Sequence, residues 1–139
     1  MGFHSSNNLN KILYIFVLFV FLLLTGCTNK KSYVYEEDSI LSIEVKEMTD
    51  NGWVVITKIL DDEKGEFLSD LSAITFKKGR SDRKEAPTLV IEITFKDKSY
   101  DQISYFGISK FTNDSNLISL EIYVCPIAEF MDLVNKYKI

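Results

Sequence analysis

The chain has 139 residues, with 16 basic and 20 acidic side chains, a net charge near −4, 46% hydrophobic residues, six glycines and two prolines. That composition is globular and excludes a collagen-like, low-complexity or disordered chain. The acidic balance argues against nucleic acid as a partner, because such a binder presents net positive charge on one face.

The chain opens on a polar stretch ending in Lys11, followed by an unbroken apolar run from Ile12 to Leu24. Thirteen apolar residues make a helix of about 20 Å at 1.5 Å per residue, short of the roughly 30 Å of a bilayer's hydrocarbon core. The run suits the apolar region of a secretory signal, with Lys11 and the amino terminus as its positive flank. It ends in Leu24-Thr25-Gly26-Cys27, which resembles the lipobox of bacterial lipoproteins: a branched apolar residue, two small residues and a cysteine. The resemblance covers residues 1–27. It implies that a signal peptidase recognises Leu24, Thr25 and Gly26 and cuts before Cys27, whose thiol carries diacylglycerol, with palmitate-type acyl chains. The opening Met1-Gly2-Phe3-His4-Ser5-Ser6 also fits a myristoylation pattern, but the apolar run after it contradicts a cytosolic acyl protein. A single acyl chain binds membranes only marginally, whereas two hold stably. The expected location is therefore the cell membrane, lipid-anchored and facing the extracytoplasmic side. Thr28 comes after the cysteine, in place of the aspartate that in Gram-negative lipoproteins implies retention at the inner membrane.

Residues 27–139 then form the mature chain, with 15 basic and 20 acidic side chains, no histidine, and Cys125 as the only cysteine besides Cys27. With Cys27 acylated, no intrachain disulfide is available. Three parts are expected: signal peptide 1–26, lipidated tether 27–38 and a single domain 39–139. The tether would reach about 35 Å when extended, with Lys30 and Lys31 keeping it solvated or facing lipid headgroups, and with Tyr33 and Tyr35 open to two readings, as exposed binding aromatics or as side chains docked on the sheet.

Alternation of period two governs the domain. Leu41, Ile43 and Val45 alternate with polar residues over Ile40–Met48; so do Leu89, Ile91, Ile93 and Phe95 over Thr88–Lys96, and Ile118, Leu120, Ile122 and Val124 over Leu117–Val124. Each strand has one wet face, as in an antiparallel sheet covered on one side. Asn51-Gly52 marks a hairpin. A three-residue loop Asp50-Asn51-Gly52 is expected, because it pairs Val45 with Thr57, Ile43 with Ile59 and Glu47 with Val55. Asp61-Asp62-Glu63 suits a carboxylate cap and an acidic first helical turn, with Phe67, Leu68 and Leu71 on one face beyond it. Further strands are expected at Ile74–Lys78 and Tyr100–Tyr105, with a basic loop Lys77–Lys84 and a turn at Asn113–Asn116. Pro126 suits a first helical position, and Ile127, Phe130, Met131, Val134 and Tyr137 recur at helical spacing behind it.

The expected fold is α+β, one antiparallel sheet of about six strands in the order β-β-α-β-β-β-β-α with two helices on one face. With its lipobox, its Phe95-Lys96-Asp97 turn and its terminal amphipathic helix, the chain resembles small lipoproteins of Gram-positive bacteria, a likeness that implies no activity. Their turns carry glycine after the aspartate, where this chain has Lys98.

Without histidine the mature chain cannot assemble a Ser-His-Asp or Cys-His catalytic set or a histidine–cysteine zinc site. The triplets Glu36-Glu37-Asp38 and Asp61-Asp62-Glu63 lack the alternating ligands and central glycine of a calcium loop. No Gly-rich phosphate loop is present, so no cofactor or metal is expected. The residues Lys77, Lys78, Arg80, Arg83 and Lys84 have two readings: contact with anionic wall polymer or lipid headgroups, or a solvated loop beside Asp82 and Glu85. The expected function is a non-enzymatic binding or accessory domain whose partner is an envelope protein or wall polymer. The alternatives are a small-ligand or substrate-capturing module, and a carboxylate-dependent hydrolase, for which one short sheet offers little cleft.

Overall fold

Alternating apolar residues do build the sheet. The computed structural model describes residues 10–18, 30–79 and 87–138. Leu24, Thr25, Gly26 and Cys27, and likewise Arg80, Arg83 and Lys84, lie outside the described residues. Residues 10–18 form helix α1 with its apolar side chains at least half exposed. Among the described residues no helix is long and apolar enough to cross a membrane.

The remaining elements are β1 (Lys30–Lys31), β2 (Ile40–Thr49), β3 (Gly52–Lys58), helix α2 (Lys64–Ser72), β4 (Phe76–Lys78), β5 (Leu89–Phe95), β6 (Tyr100–Ser104), β7 (Gly107–Phe111), β8 (Leu117–Glu121), β9 (Tyr123–Val124) and helix α3 (Ile127–Tyr137). Six strands pair antiparallel in the order β3-β2-β5-β6-β7-β8, and β1-β4-β9 form a separate small sheet. The fold is α+β with a six-stranded antiparallel sheet, as the alternation implies, but its membership differs from the expected set. The segment around Phe76 belongs to the small sheet, Leu117–Val124 divides between the two sheets, and β7 supplies the sixth strand.

β7 is hidden in the sequence by its turn. Ser104 pairs with Gly107 across Tyr105-Phe106, two aromatics that read as strand rather than turn. The Ser104 hydroxyl donates to the Gly107 carbonyl at 3.3 Å and accepts the Phe106 N–H at 3.4 Å. A side chain at Gly107 would bring a Cβ to 2.8 Å from the Glu121 carbonyl oxygen, so β8 packs where only glycine fits.

The first hairpin is a correction of register. Val45 does pair with Thr57, and the Ile59 N–H donates to the Ile43 carbonyl at 2.9 Å. Nearer the turn, however, Glu47 pairs with Val54 and Thr49 with Gly52, leaving Asp50-Asn51 as a two-residue loop. A bulge between the two registers leaves Ile56 as the extra residue, reconciling a tight turn with an apolar inner face. Gly52 has φ +102°, a conformation that glycine adopts without steric cost.

One face of the sheet carries the core. Across it Val45, Ile91, Ile103 and Ile108 stand in register as one apolar row. Phe67, Leu68 and Leu71 of α2 and Phe130, Leu133, Val134 and Tyr137 of α3 are buried in the same cluster. The α3 stripe is rotated from the expected one: Leu133 is inside, and Ile127 is 56% exposed. Pro126 stands just before the helix, its carbonyl accepting the Phe130 N–H at 3.2 Å. No carboxylate caps α2; Asp61, in a 3-10 turn, instead pairs with the Lys64 ammonium at 2.8 Å. Lys136 binds Glu66 at 2.9 Å and Asp70 at 2.8 Å, tying α3 to α2, while the Tyr137 hydroxyl donates to Asp70 at 2.6 Å. On the opposite face the centre is closed as well, with Val90, Glu92 and Ser104 buried and Glu92 ion-paired to Lys46.

Candidate functional site: the leading segment on the polar half of the sheet

The inner face turns polar towards β8. Beside the apolar row runs a second, Ile43–Ile93–Asp101–Lys110–Ser119, and the first row itself ends in Glu121 beside Ile108. Charged groups thus lie on a face whose other half is hydrocarbon. Burying them without partners would cost several kcal/mol.

The leading segment covers them. β1 pairs Lys30 with Lys77 and Lys31 with Phe76, which carries the chain onto the sheet. The Lys31 ammonium then binds Glu121 at 2.6 Å and lies 5.5 Å and 5.3 Å from the ring centres of Tyr33 and Tyr123. Tyr33 is buried edge-on against Phe76, with ring centres 4.6 Å apart. The Tyr35 hydroxyl donates to Asp101 Oδ2 at 2.8 Å, and its ring lies 5.9 Å from that of Phe95. The residues expected to be a free tether are fastened to the domain from Lys30 onward.

Burial dominates the electrostatics. It raises the Asp101 carboxyl above its ordinary range, against the hydrogen bond from Tyr35 and the charges of Lys110 and Lys31, which pull the other way. Burial likewise raises the tyrosine ionisations, helped at Tyr33 by Glu121 and at Tyr35 by Asp101. At Glu121 the Lys31 hydrogen bond wins over burial and lowers the carboxyl. A cleft of about 150 Å³ remains among Lys31, Tyr33, Tyr35, Asp101 and Lys110. It admits water or a small ion and falls below the roughly 300–1,000 Å³ of small-molecule sites. The arrangement is suited to fastening the chain.

The other expected residues are dispersed. Lys77 and Lys78 belong to β4, within the expected strand Ile74–Lys78 and outside any basic loop, and both are exposed. Glu37 and Asp38 sit in a 3-10 turn, with the Ser39 hydroxyl donating to the Glu36 carbonyl at 2.7 Å. Cys125 is a free, buried thiol; burial first, then the Glu129 charge, pushes its pKa up to about 11. Among the described residues no three His, Cys, Asp or Glu side chains converge on a metal position. Trp53 faces Met48 across the hairpin, and with Val54 and Val55 both are more than one-third exposed. At the other edge of the sheet Leu117, Ile118 and Leu120 are each more than half exposed. Between sheet and α2 lies a cleft of about 440 Å³ lined by Leu41, Ser42, Lys58, Ile59, Leu60, Asp61 and Lys64.

Sequence reasoning missed Asp101, Lys110 and Glu121. The signal was present in β6, where Asp101 and Ile103 alternate with Tyr100 and Gln102 and must share a face. Comparison with known proteins adds no homology: no family model, no curated protein and no solved structure matches the chain.

Proposed function

We propose that the protein is a lipid-anchored extracytoplasmic lipoprotein whose folded domain acts by binding another component of the cell envelope, without catalysis. The lipobox-like Leu24-Thr25-Gly26-Cys27 supports the anchor. The observation that carries binding is the β2–β3 hairpin, where Met48, Trp53 and Val55, placed on one face by register and alternation, hold apolar surface in solvent at the sheet edge. Contiguous exposed apolar surface marks interaction sites, and a tryptophan in such a patch is a favoured anchor. The partner is an envelope protein that covers this edge. Crosslinking and capture of the native chain, compared with its Trp53→Glu variant, tests this. A specific envelope protein recovered with the native chain and lost from the variant is expected; equal recovery from both overturns the reading.

A second reading rests on the 440 Å³ cleft between sheet and α2, whose volume falls within the range of ligand sites. Lys58 and Lys64 give it an anionic preference. The Lys64 ammonium, however, is already engaged by Asp61 at 2.8 Å and by the Leu41 carbonyl at 3.1 Å. A ligand there would raise the melting temperature progressively with its concentration, and Lys58→Ala would abolish the rise.

A further inference from the structure

We infer that the β8 edge and the adjoining β1–β4 corner form a membrane-contacting surface, with the anionic lipid interface itself as occupant. The inference rests on the lipid-anchor reading and goes beyond it, since an anchor alone leaves the orientation of the domain open. Three observations converge. The first is chain length. Between Cys27 and Lys30, the first residue of β1, a polypeptide of three residue steps spans at most about 11 Å. An acylated Cys27 therefore holds Lys30 close to the headgroups, where a free tether to residue 38 would have allowed several times that distance.

The second is charge. β1 pairs Lys30 with Lys77, and Lys78 is next on the same strand; all three side chains are exposed. Lys31, by contrast, is engaged by Glu121 at 2.6 Å, so that acidic group is already matched. Paired strands lie about 5 Å apart, which keeps Lys77 near the Debye length of about 8–10 Å over which an anionic surface is felt. In a chain with a net charge near −4, this corner is locally basic.

The third is the apolar edge beside it. Lys78 and Leu120 line one shallow cleft of about 290 Å³ with Glu121 and Tyr123, so the basic corner and the β8 edge are contiguous. There Leu117, Ile118 and Leu120 are 57%, 63% and 61% exposed. Among the described residues no further strand pairs with this edge, and an unpaired apolar edge strand is an aggregation liability in water. Basic residues flanking exposed apolar side chains are instead the composition of an interfacial membrane contact. β3, five strand steps away at the opposite edge, then faces outward at roughly 24 Å from β8, leaving the Trp53 hairpin free for a partner.

The single tryptophan, Trp53, provides an internal reference for the test. The full chain is produced with its lipid and reconstituted into vesicles of phosphatidylcholine, or of phosphatidylcholine mixed with phosphatidylglycerol, each containing lipids brominated near the headgroup. The native chain is compared with the Trp53→Phe/Ile118→Trp double variant. Quenching of the tryptophan at 118 should exceed that of Trp53 several-fold on phosphatidylglycerol vesicles. High salt or Lys77→Glu/Lys78→Glu should remove the excess. Flotation with the vesicles but equal, weak quenching at both positions overturns the membrane contact and leaves the anchor standing. Failure to float overturns the anchor, and this inference with it. An unquenched emission at 118 that shifts blue with protein density, alongside a dimer crosslink, assigns the edge to a second copy and also overturns the inference.

Discussion

At the scale of single residues, the most informative group is Asp101, a carboxylate on the inner face with Tyr35 as donor and Lys110 as its cross-strand neighbour. Its carboxyl is raised, chiefly by burial. The folded state therefore binds this proton more tightly than the unfolded state. The group's contribution to stability falls as pH rises through the folded pKa and is regained only on acidification. Asp101→Asn keeps an acceptor for Tyr35 and removes the buried charge. Urea unfolding should show the variant at least as stable as the native chain near neutral pH, with the advantage vanishing as pH falls below the ordinary aspartate range; a loss of stability at neutral pH would show that Lys110 and Lys31 outweigh burial. Asp70 has the opposite sign, since hydrogen bonds from Lys136 and Tyr137 lower its carboxyl; its support should persist above the ordinary aspartate range and fade as pH falls through the lowered value. Lys98 is a second informative residue. It stands at φ 71° in the turn after β5, where a non-glycine residue costs roughly 1–2 kcal/mol. Part of that strain is offset in the Lys98→Gly variant by the extra freedom of glycine in the unfolded chain. A gain of about 0.5–1 kcal/mol in unfolding free energy is expected, and no gain would mean that the turn relaxes around lysine. Cys125 is 3% exposed and burial raises its thiol pKa, so it should react with iodoacetamide at neutral pH only as opening of the fold exposes it, since the reagent must reach a thiolate.

At the scale of elements, the helices hold the apolar half of the sheet, α3 with Phe130, Leu133, Val134 and Tyr137, of which Phe130 is buried completely. Truncating a buried phenylalanine to alanine costs about 3–5 kcal/mol, a large share of the 5–15 kcal/mol typical of a domain. Phe130→Ala should lower the urea midpoint markedly, whereas Ile127→Ala, at an exposed position, should change stability by less than about 0.5 kcal/mol. Equal effects would mean that the helix is rotated from its described packing. The same elements show what a sequence makes legible. Strict alternation located β2 and β5, and helical spacing located α2 and α3, because burial on one face leaves a periodic trace. In β8 alternation located the strand but assigned its faces the wrong way round, since Ser119 and Glu121 stand in the inner rows while Ile118 and Leu120 are exposed. The turn between β6 and β7 left no such trace, as Tyr105-Phe106 has no turn chemistry of its own and depends on Ser104 and on the glycine that lets β8 approach. The bulge at Ile56 was equally hidden, because the paired register on either side of it is locally regular. Docking of Tyr33 and Tyr35 on the sheet was one of two readings open for them, but the partners of the clamp were hidden for a third reason: they are 90 and 66 residues away, and only tertiary structure brings a tether-like stretch against a polar patch of the inner face.

At the scale of the whole molecule, the proposal gives the segment between Cys27 and the sheet the part of deciding how the domain is presented. The chain is fastened from Lys30 by Glu121, Phe76 and Asp101, so under the proposed anchor the sheet would follow Cys27 closely, being only three residue steps away. Tyr35→Phe should weaken that fastening and cost roughly 1.5–3 kcal/mol as a lost bond to a charged group. Limited proteolysis of the native fold should then cut between Lys30 and Glu37 well before the core, and an unchanged cleavage pattern would mean that Lys31 and Tyr33 hold the segment alone. The proposed anchorage, and the orientation inferred from it, rest on acylation at Cys27, and metabolic labelling with a fatty-acid analogue measures it directly. The native chain should take up label and fractionate with the membrane, while Cys27→Ser should remain unlabelled and either uncleaved or released. Label retained on Cys27→Ser, or a native chain that carries none, would contradict the lipoprotein reading.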